Sequence, residues 1–80
     1  MKVRVRLFAG MAQQADTGLA ALDMPAQSTV AAVRKNLQLR FPQMPWPPGT
    51  MHAVNQEYAD EQRILSEGDE VAFIPPVSGG

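Results

Sequence analysis

The chain has 80 residues, with seven Lys and Arg, eight Asp and Glu, one His and no cysteine. This length supports one domain with a small core, because a second core would have almost no apolar surface to bury. The lack of cysteine excludes a disulfide-stapled miniprotein, a thiolate zinc site and a cysteine nucleophile. A formal net charge of -1 is not typical of a nucleic-acid-binding domain.

No apolar stretch approaches the roughly 20 residues that a membrane-spanning helix needs. Residues 1–6 alternate Lys and Arg with Val, unlike a secretory signal peptide. We therefore expect a cytoplasmic protein that binds neither membranes nor nucleic acid.

The charges are distributed unevenly along the chain. Residues 1–50 carry six cations and two anions, whereas residues 51–80 carry one cation and six anions. Two interpretations remain open: the halves neutralise each other across the fold, or an acidic face steers docking onto a basic partner.

The first half of the chain predicts two strands and a helix. Val3, Val5 and Leu7 alternate with cations, which predicts a strand over residues 2–8, and residues 10–18 fit a short helical turn or a loop. A second strand is predicted over residues 19–24. A helix follows, capped by Ser28 or Thr29 and ended by Pro42, with apolar residues at helical spacing: Val30, Val33, Leu37 and Phe41.

Residues 42–49 hold four prolines around Trp46 and exclude regular structure. The two P-x-x-P matches allow an SH3 ligand, but we favour a loop that the Trp46 ring pins to the core. A third strand is predicted over residues 51–55, and a turn then leads into Tyr58. Ile64 and Leu65 are expected to cap the core from a loop.

The last strand, over residues 71–74, follows a turn at residues 67–69 and is apolar on both faces, which predicts a central position. The order strand, strand, helix, strand, strand places the helix on one face of the sheet, with the first and last strands adjacent. The predicted fold is α+β: a β-grasp, ubiquitin-like roll in which a mixed sheet curls around one main helix.

No catalytic or metal-binding motif is visible. His52 has no second imidazole for a metal site, so a structural or solvated role is expected and no metal site is predicted. The carboxylates Glu67, Asp69 and Glu70 fit a solvated turn better than an acid–base pair. Ser78 has no base partner and is not predicted to be a nucleophile.

The end of the chain is the main functional signal. Pro75 and Pro76 favour a stiff, extended segment, beyond which residues 77–80 project about 12 to 14 Å. Gly79 and Gly80 have no Cβ, so this end can enter a narrow channel and present its α-carboxylate to another enzyme. We therefore predict a β-grasp domain over residues 1–76 and a flexible tail over residues 77–80.

Segments along nearly the whole chain carry a family resemblance. They are Phe8-Ala9, residues 22–25 followed by Thr29-Val30, residues 53–56, and above all residues 68–80, which read GDEVAFIPPVSGG. In these segments the sequence resembles the MoaD family, the small subunits of molybdopterin synthase. It departs from the family pattern at residues 11–16 and in loop 42–50.

The resemblance implies a sulfur carrier with no bound cofactor and no active site of its own. A MoeB-like adenylating enzyme would use ATP and Mg²⁺ to convert the Gly80 carboxylate into an acyl adenylate, and a sulfurtransferase would supply the sulfur of a thiocarboxylate. A MoaE-like large subunit would receive Gly79 and Gly80 in its pocket and use the sulfur to build the dithiolene of molybdopterin from cyclic pyranopterin monophosphate. Two small and two large subunits would form a heterotetramer.

By the same resemblance, an apolar patch beside the tail would bind the large subunit. Its predicted members are Phe8, Tyr58, Ile74, Pro75, Pro76, Val77 and Ser78. Three alternatives stay open: a ThiS-like sulfur carrier for thiamin synthesis, a ubiquitin-like protein modifier, and an interaction module with an inert tail.

Overall fold

The computed structural model describes residues 1–77, which contain five strands and two helices. In chain order they are β1 (Lys2–Arg6), α1 (Ala9–Ala15), β2 (Leu19–Asp23), α2 (Val30–Arg40), β3 (Met51–Val54), β4 (Glu57–Tyr58) and β5 (Glu70–Ile74). No helix within these residues is long and apolar enough to cross a membrane.

The strands form one mixed sheet in the order β2-β1-β5-β3-β4. The two central strands, β1 and β5, are parallel, and Val5 lies opposite Val71. The other pairs are antiparallel. The predicted β-grasp roll, with the first and last strands adjacent at its centre, is therefore confirmed.

Helix α2 packs on one face of this sheet. The Thr29 side chain caps it by accepting a hydrogen bond from the Ala32 amide at 3.3 Å, whereas Ser28 donates its hydroxyl to the Pro25 carbonyl instead. The apolar stripe of α2 is fully buried against the inward side chains of β1 and β5. Together they form the centre of the core: Val30, Val33, Leu37, Val3, Val5, Val71 and Phe73.

Two elements differ from the expectation. Where a short helical turn or a loop was expected over residues 10–18, the chain forms the two-turn helix α1 over Ala9–Ala15, and its Met11 is buried in the core. Tyr58 belongs to a short strand, β4, which pairs with β3 through a two-residue turn. Neither element has a long periodic pattern, so neither was resolved from the sequence.

The prediction that Ile64 caps the core is wrong. Leu65 is buried, but Ile64 is exposed. The segment runs extended beside the start of α2, with Ile64 bridged to Thr29 and the Leu65 amide donating to the Ser28 carbonyl at 2.8 Å. Since successive side chains of an extended segment point to opposite sides, only one of the two can face the core.

The proline-rich loop is attached to the core by its aromatic residue, as we favoured. Trp46 is half-buried, and its ring meets the buried Phe73 ring edge to face, with centroids 5.1 Å apart. Gly49 has a φ of 85°, a backbone conformation that L side chains rarely adopt. The Thr50 hydroxyl donates to the Pro47 carbonyl at 2.6 Å and closes this turn.

The packing of α2 gives a direct stability prediction. Leu37 is fully buried and Leu39, two residues along the same helix, is 76% exposed. We expect Leu37→Ala to lower the free energy of unfolding by about 2 to 5 kcal/mol through lost burial and a residual cavity. Leu39→Ala should stay within about 0.5 kcal/mol of wild type in urea unfolding. Equal losses for both variants would contradict the assigned face of α2.

Candidate functional site

The face of the sheet opposite α2 carries a groove. Side chains at alternate positions of neighbouring strands share this face, because strand side chains alternate between the two sides. The groove has a volume of about 440 Å³. We call it the sheet groove, and its lining residues are Arg6, Phe8, Ala53, Gln56, Tyr58, Glu70, Ala72 and Ile74.

The floor of the sheet groove is made by small residues and its sides by aromatic ones. Ala53 and Ala72 are directly opposite each other on β3 and β5. Phe8 is 41% exposed and Tyr58 is 72% exposed, while Ile74 is half-buried. The structure thus brings together three of the seven residues predicted to contact the large subunit and leaves each of these three accessible, at least in part. That they bind a partner stays a prediction.

A tight turn between β3 and β4 positions Tyr58. The two turn residues, Asn55 and Gln56, have φ values of 52° and 71°, the left-handed conformations of a two-residue hairpin turn. Val54 and Glu57 pair across the turn, and Ala53 lies opposite Tyr58. The aromatic ring therefore stands on the same face as the alanine floor.

An ion pair borders the groove. The Arg6 guanidinium donates through Nε to Glu70 Oε2 at 3.1 Å and through Nη2 to Oε1 at 3.4 Å. This hydrogen bonding lowers the pKa of the Glu70 carboxyl and raises the pKa of Arg6. Arg6 comes from the basic half of the chain and Glu70 from the acidic half, as do Arg34 and Glu61, which also pair. These contacts support mutual neutralisation of the two halves.

A second polar contact ties the turn of the β3–β4 hairpin to β5. The Asn55 side chain donates to Asp69 Oδ1 at 3.0 Å and accepts from the Glu70 amide at 3.0 Å. Asp69 also accepts from the Ser66 amide at 2.8 Å. The hydrogen bond from the Ser66 backbone, then that from Asn55, holds the pKa of Asp69 below its usual range.

The segment that leads into the tail begins at one end of the sheet groove. Ile74 is the last residue of β5 and lies opposite Met51. Pro75 follows half-buried, Pro76 and Val77 are exposed, and a Cβ built on Gly49 would lie 3.8 Å from the Pro76 ring. The predicted reactive residues Gly79 and Gly80, and the predicted contact residue Ser78, lie outside the described residues.

A smaller cavity of about 310 Å³ lies between α2 and the proline-rich loop, and His52 lines it. His52 Nδ1 is 2.6 Å from the Ala59 carbonyl, so this nitrogen carries a proton and donates it. The imidazole thereby joins β3 to the segment after β4, which is a structural role. Within residues 1–77 no group of three His, Cys, Asp or Glu side chains is placed to hold a metal ion.

Several groove residues were missed at the level of sequence. The sequence pattern places Arg6 only on the solvated face of a strand, and Ala72 only in a strand that is apolar on both sides. The available signal was the second apolar face of β5: Ala72 and Ile74 alternate with the core residues Val71 and Phe73, yet the chain has only one main helix to cover the sheet. An apolar strip on the uncovered face indicates a contact surface.

The fold and this site define a class: a ubiquitin-like β-grasp domain whose C-terminal tail leaves the central strand beside an exposed groove. The family described as ThiS family matches residues 5–80, and the chain belongs to it. The molybdopterin synthase sulfur carrier subunit of Drosophila yakuba is 34% identical over 83 residues, covering all of this chain and 92% of the relative. The predicted MoaD-like identity is thus confirmed.

Solved structures agree with this placement. SAMP1 from Haloferax volcanii matches with a TM-score of 0.84 and 26% identity, over 100% of both chains. A chain from the protein–protein complex of subunits 1 and 2 of molybdopterin-converting factor from Helicobacter pylori matches with a TM-score of 0.71 and 25% identity, again over 100% of both chains. The latter protein forms a complex with a second subunit.

The Asp69 contacts predict a specific pH dependence. Because the pKa of Asp69 is lowered in the folded state, the unfolded chain takes up the proton first, and stability is lost as pH falls. We expect Asp69→Asn to be less stable than wild type at pH 7 and to lose less stability between pH 7 and about pH 3, across the usual Asp titration range. Urea unfolding at several pH values measures this. Parallel curves for the two proteins would contradict it.

Proposed function

We propose that this chain is the sulfur-carrier subunit of a molybdopterin synthase, with the sulfur carried on the α-carboxyl group of Gly80. The family membership, the relative named for this function and the C-terminal Gly-Gly support the proposal. The observation that carries it is the position of the groove at the end of β5: Ile74 lines the groove, and the segment that leads into the tail starts at the next residue. A partner seated on the groove is therefore beside the segment that delivers the reactive group.

The chemistry begins with activation of a poor electrophile. A carboxylate resists attack because oxide is a poor leaving group. A MoeB-like enzyme that binds ATP and Mg²⁺ would join the Gly80 carboxylate to AMP and release pyrophosphate. A sulfurtransferase would then deliver sulfur as a hydrosulfide equivalent: the new C–S bond forms, the C–O bond to AMP breaks, and a thiocarboxylate remains. This chain contributes the acyl group and binds no cofactor in this scheme.

Sulfur donation requires a second protein. A tail of a few small residues cannot enclose a substrate, so the pocket for cyclic pyranopterin monophosphate must come from a partner. We assign this role to a MoaE-like large subunit that contacts Phe8, Tyr58 and Ile74 and then residues 75–78, in a heterotetramer of two small and two large subunits. The complex of the Helicobacter pylori relative supports such a partner.

A ubiquitin-like protein modifier is the second candidate function. The likeness to SAMP1, a small archaeal modifier protein, favours it. A modifier and a sulfur carrier would share activation of Gly80. They differ in the nucleophile that attacks the acyl group, a lysine amine in the first case and a sulfur donor in the second.

The test of sulfur loading is intact mass spectrometry. The chain is incubated with the adenylating enzyme, ATP, Mg²⁺ and a sulfur source, and we expect the mass increase for exchange of one oxygen atom for sulfur. Deletion of Gly80 should abolish the increase, and Leu39→Ala, an exposed change on α2, should leave it intact. An unchanged mass under conditions that load a known carrier would contradict the proposal.

The same samples separate the candidate functions. Loaded chain mixed with the large subunit and cyclic pyranopterin monophosphate should form molybdopterin. Transfer of sulfur only to the thiamin thiazole precursor would favour the ThiS-like carrier, and a covalent adduct to protein lysines would favour the modifier.

The groove predicts which side chains bind the large subunit. Tyr58→Ala and Phe8→Ala each remove an exposed aromatic ring, the type of side chain that most often dominates interface energetics. We expect each to raise Kd at least about tenfold in isothermal titration calorimetry. Leu39→Ala, on the far side of the sheet, should change Kd less than about twofold. A tenfold loss for the Leu39 variant alone would place the interface elsewhere.

A further inference from the structure

The Arg6 guanidinium has unused hydrogen-bond donors at the border of the sheet groove. A guanidinium carries five N–H donors, and Glu70 accepts two of them. Both Glu70 oxygens are engaged by this contact, whereas the other three N–H groups of Arg6 have no acceptor within residues 1–77 and can bind solvent or a partner. Arg6 is exposed and Glu70 half-buried.

The local charge is also uncompensated. Arg4 lies two residues before Arg6 on the same face of β1, and Glu70 is its neighbour on β5. Lys2, further along β1, is paired with Asp23. Arg4 lies outside the groove lining but next to Glu70, so two guanidinium groups and one carboxylate stand together on this part of the sheet face, which gives it a net positive charge.

A partner that covers the groove must satisfy the free donors of Arg6. Burying a charged donor without an acceptor is unfavourable, because the guanidinium loses its hydrogen bonds to water and gains none in return. The planar fork of Arg fits a carboxylate through two parallel hydrogen bonds, and an added negative charge balances the border. A purely apolar partner surface would fit the aromatic sides of the groove but would leave the Arg6 donors without an acceptor.

We propose that the sheet groove recognises a partner segment that carries an acidic side chain beside its apolar contact, and that this carboxylate binds the free N–H groups of Arg6. The inference rests on the proposed function, since the partner is the large subunit. It assigns Arg6 as a specificity-determining residue of that interface and Glu70 as the group that holds the guanidinium in place.

The experiment compares four variants, the fourth being Arg6→Lys, in titration calorimetry against the large subunit from the same organism. Arg6→Leu removes the proposed contact. Arg4→Leu is the matched control, with the same loss of charge on the same strand face but outside the groove lining. The double variant Arg6→Leu with Glu70→Leu removes the ion pair and leaves no unpaired carboxylate at the interface. Circular dichroism establishes that each variant is folded.

We expect Kd to rise at least tenfold for Arg6→Leu, to remain raised in the double variant, and to rise no more than about threefold for Arg4→Leu, through loss of long-range attraction alone. Arg6→Lys, which keeps the charge but loses the fork, should fall between wild type and Arg6→Leu.

Three results would overturn the inference. Recovery of wild-type affinity in the double variant would mean that Arg6 serves only to neutralise Glu70. Equal losses of affinity for Arg4→Leu and Arg6→Leu would mean that only the net charge of the chain affects binding. If the wild-type chain does not bind the large subunit, both the partner assignment and this inference are wrong. The carrier function is tested separately, by the mass increase on sulfur loading of Gly80.

Discussion

The parallel pairing of β1 with β5 is the constraint on which the rest of the structure depends. It places the last strand of the chain in the middle of the sheet, where both neighbours hold it by hydrogen bonds. A terminal strand at an edge would fray easily, because few contacts would oppose its opening. Here the residues just before the tail include Phe73, one of the largest fully buried side chains. The exit point of the tail is thus as well fixed as the core itself.

The same pairing explains why one face of the sheet stays open. A single main helix, α2, covers the face that presents Val5, Val71 and Phe73. The opposite face of β5 presents Ala72 and Ile74, small or half-buried apolar groups that no element within residues 1–77 covers with a second core. Because Pro75 follows directly from Ile74, the uncovered face lies beside the start of the segment that leads into the tail. In the proposed function, a partner that binds the uncovered face of the sheet therefore lies beside the start of the segment that carries the reactive terminus.

Much of this architecture could be predicted from local patterns, and the failures have specific causes. The alternation of Val3 and Val5 with cations and the helical spacing of Val30, Val33 and Leu37 are strong signals, since burial on one face imposes them. The turn that leads into Tyr58 was predicted, but strand β4 was not, because it has only two residues and the turn has Gln56 at a positive φ, where the usual hairpin signal is Asn-Gly. The exposure of Ile64 follows from its bridge to Thr29, a contact between distant parts of the chain that local patterns do not show. The role of Arg6 in the groove likewise required knowing that residue 70 lies beside it, 64 positions further along the chain.

The lack of cysteine acquires a chemical meaning once the tail is considered. An acyl adenylate is attacked by any accessible thiolate, and a side-chain thiol near the tail would compete with the sulfur donor by forming an internal thioester. A thiocarboxylate also exchanges readily with oxidised thiols. With no cysteine in the sequence, the only sulfur atoms in side chains are the thioethers of five methionines, which are poor nucleophiles at neutral pH. In the proposed function the main-chain terminus is then the single reactive sulfur site, so loading and discharge at Gly80 proceed without an internal competitor.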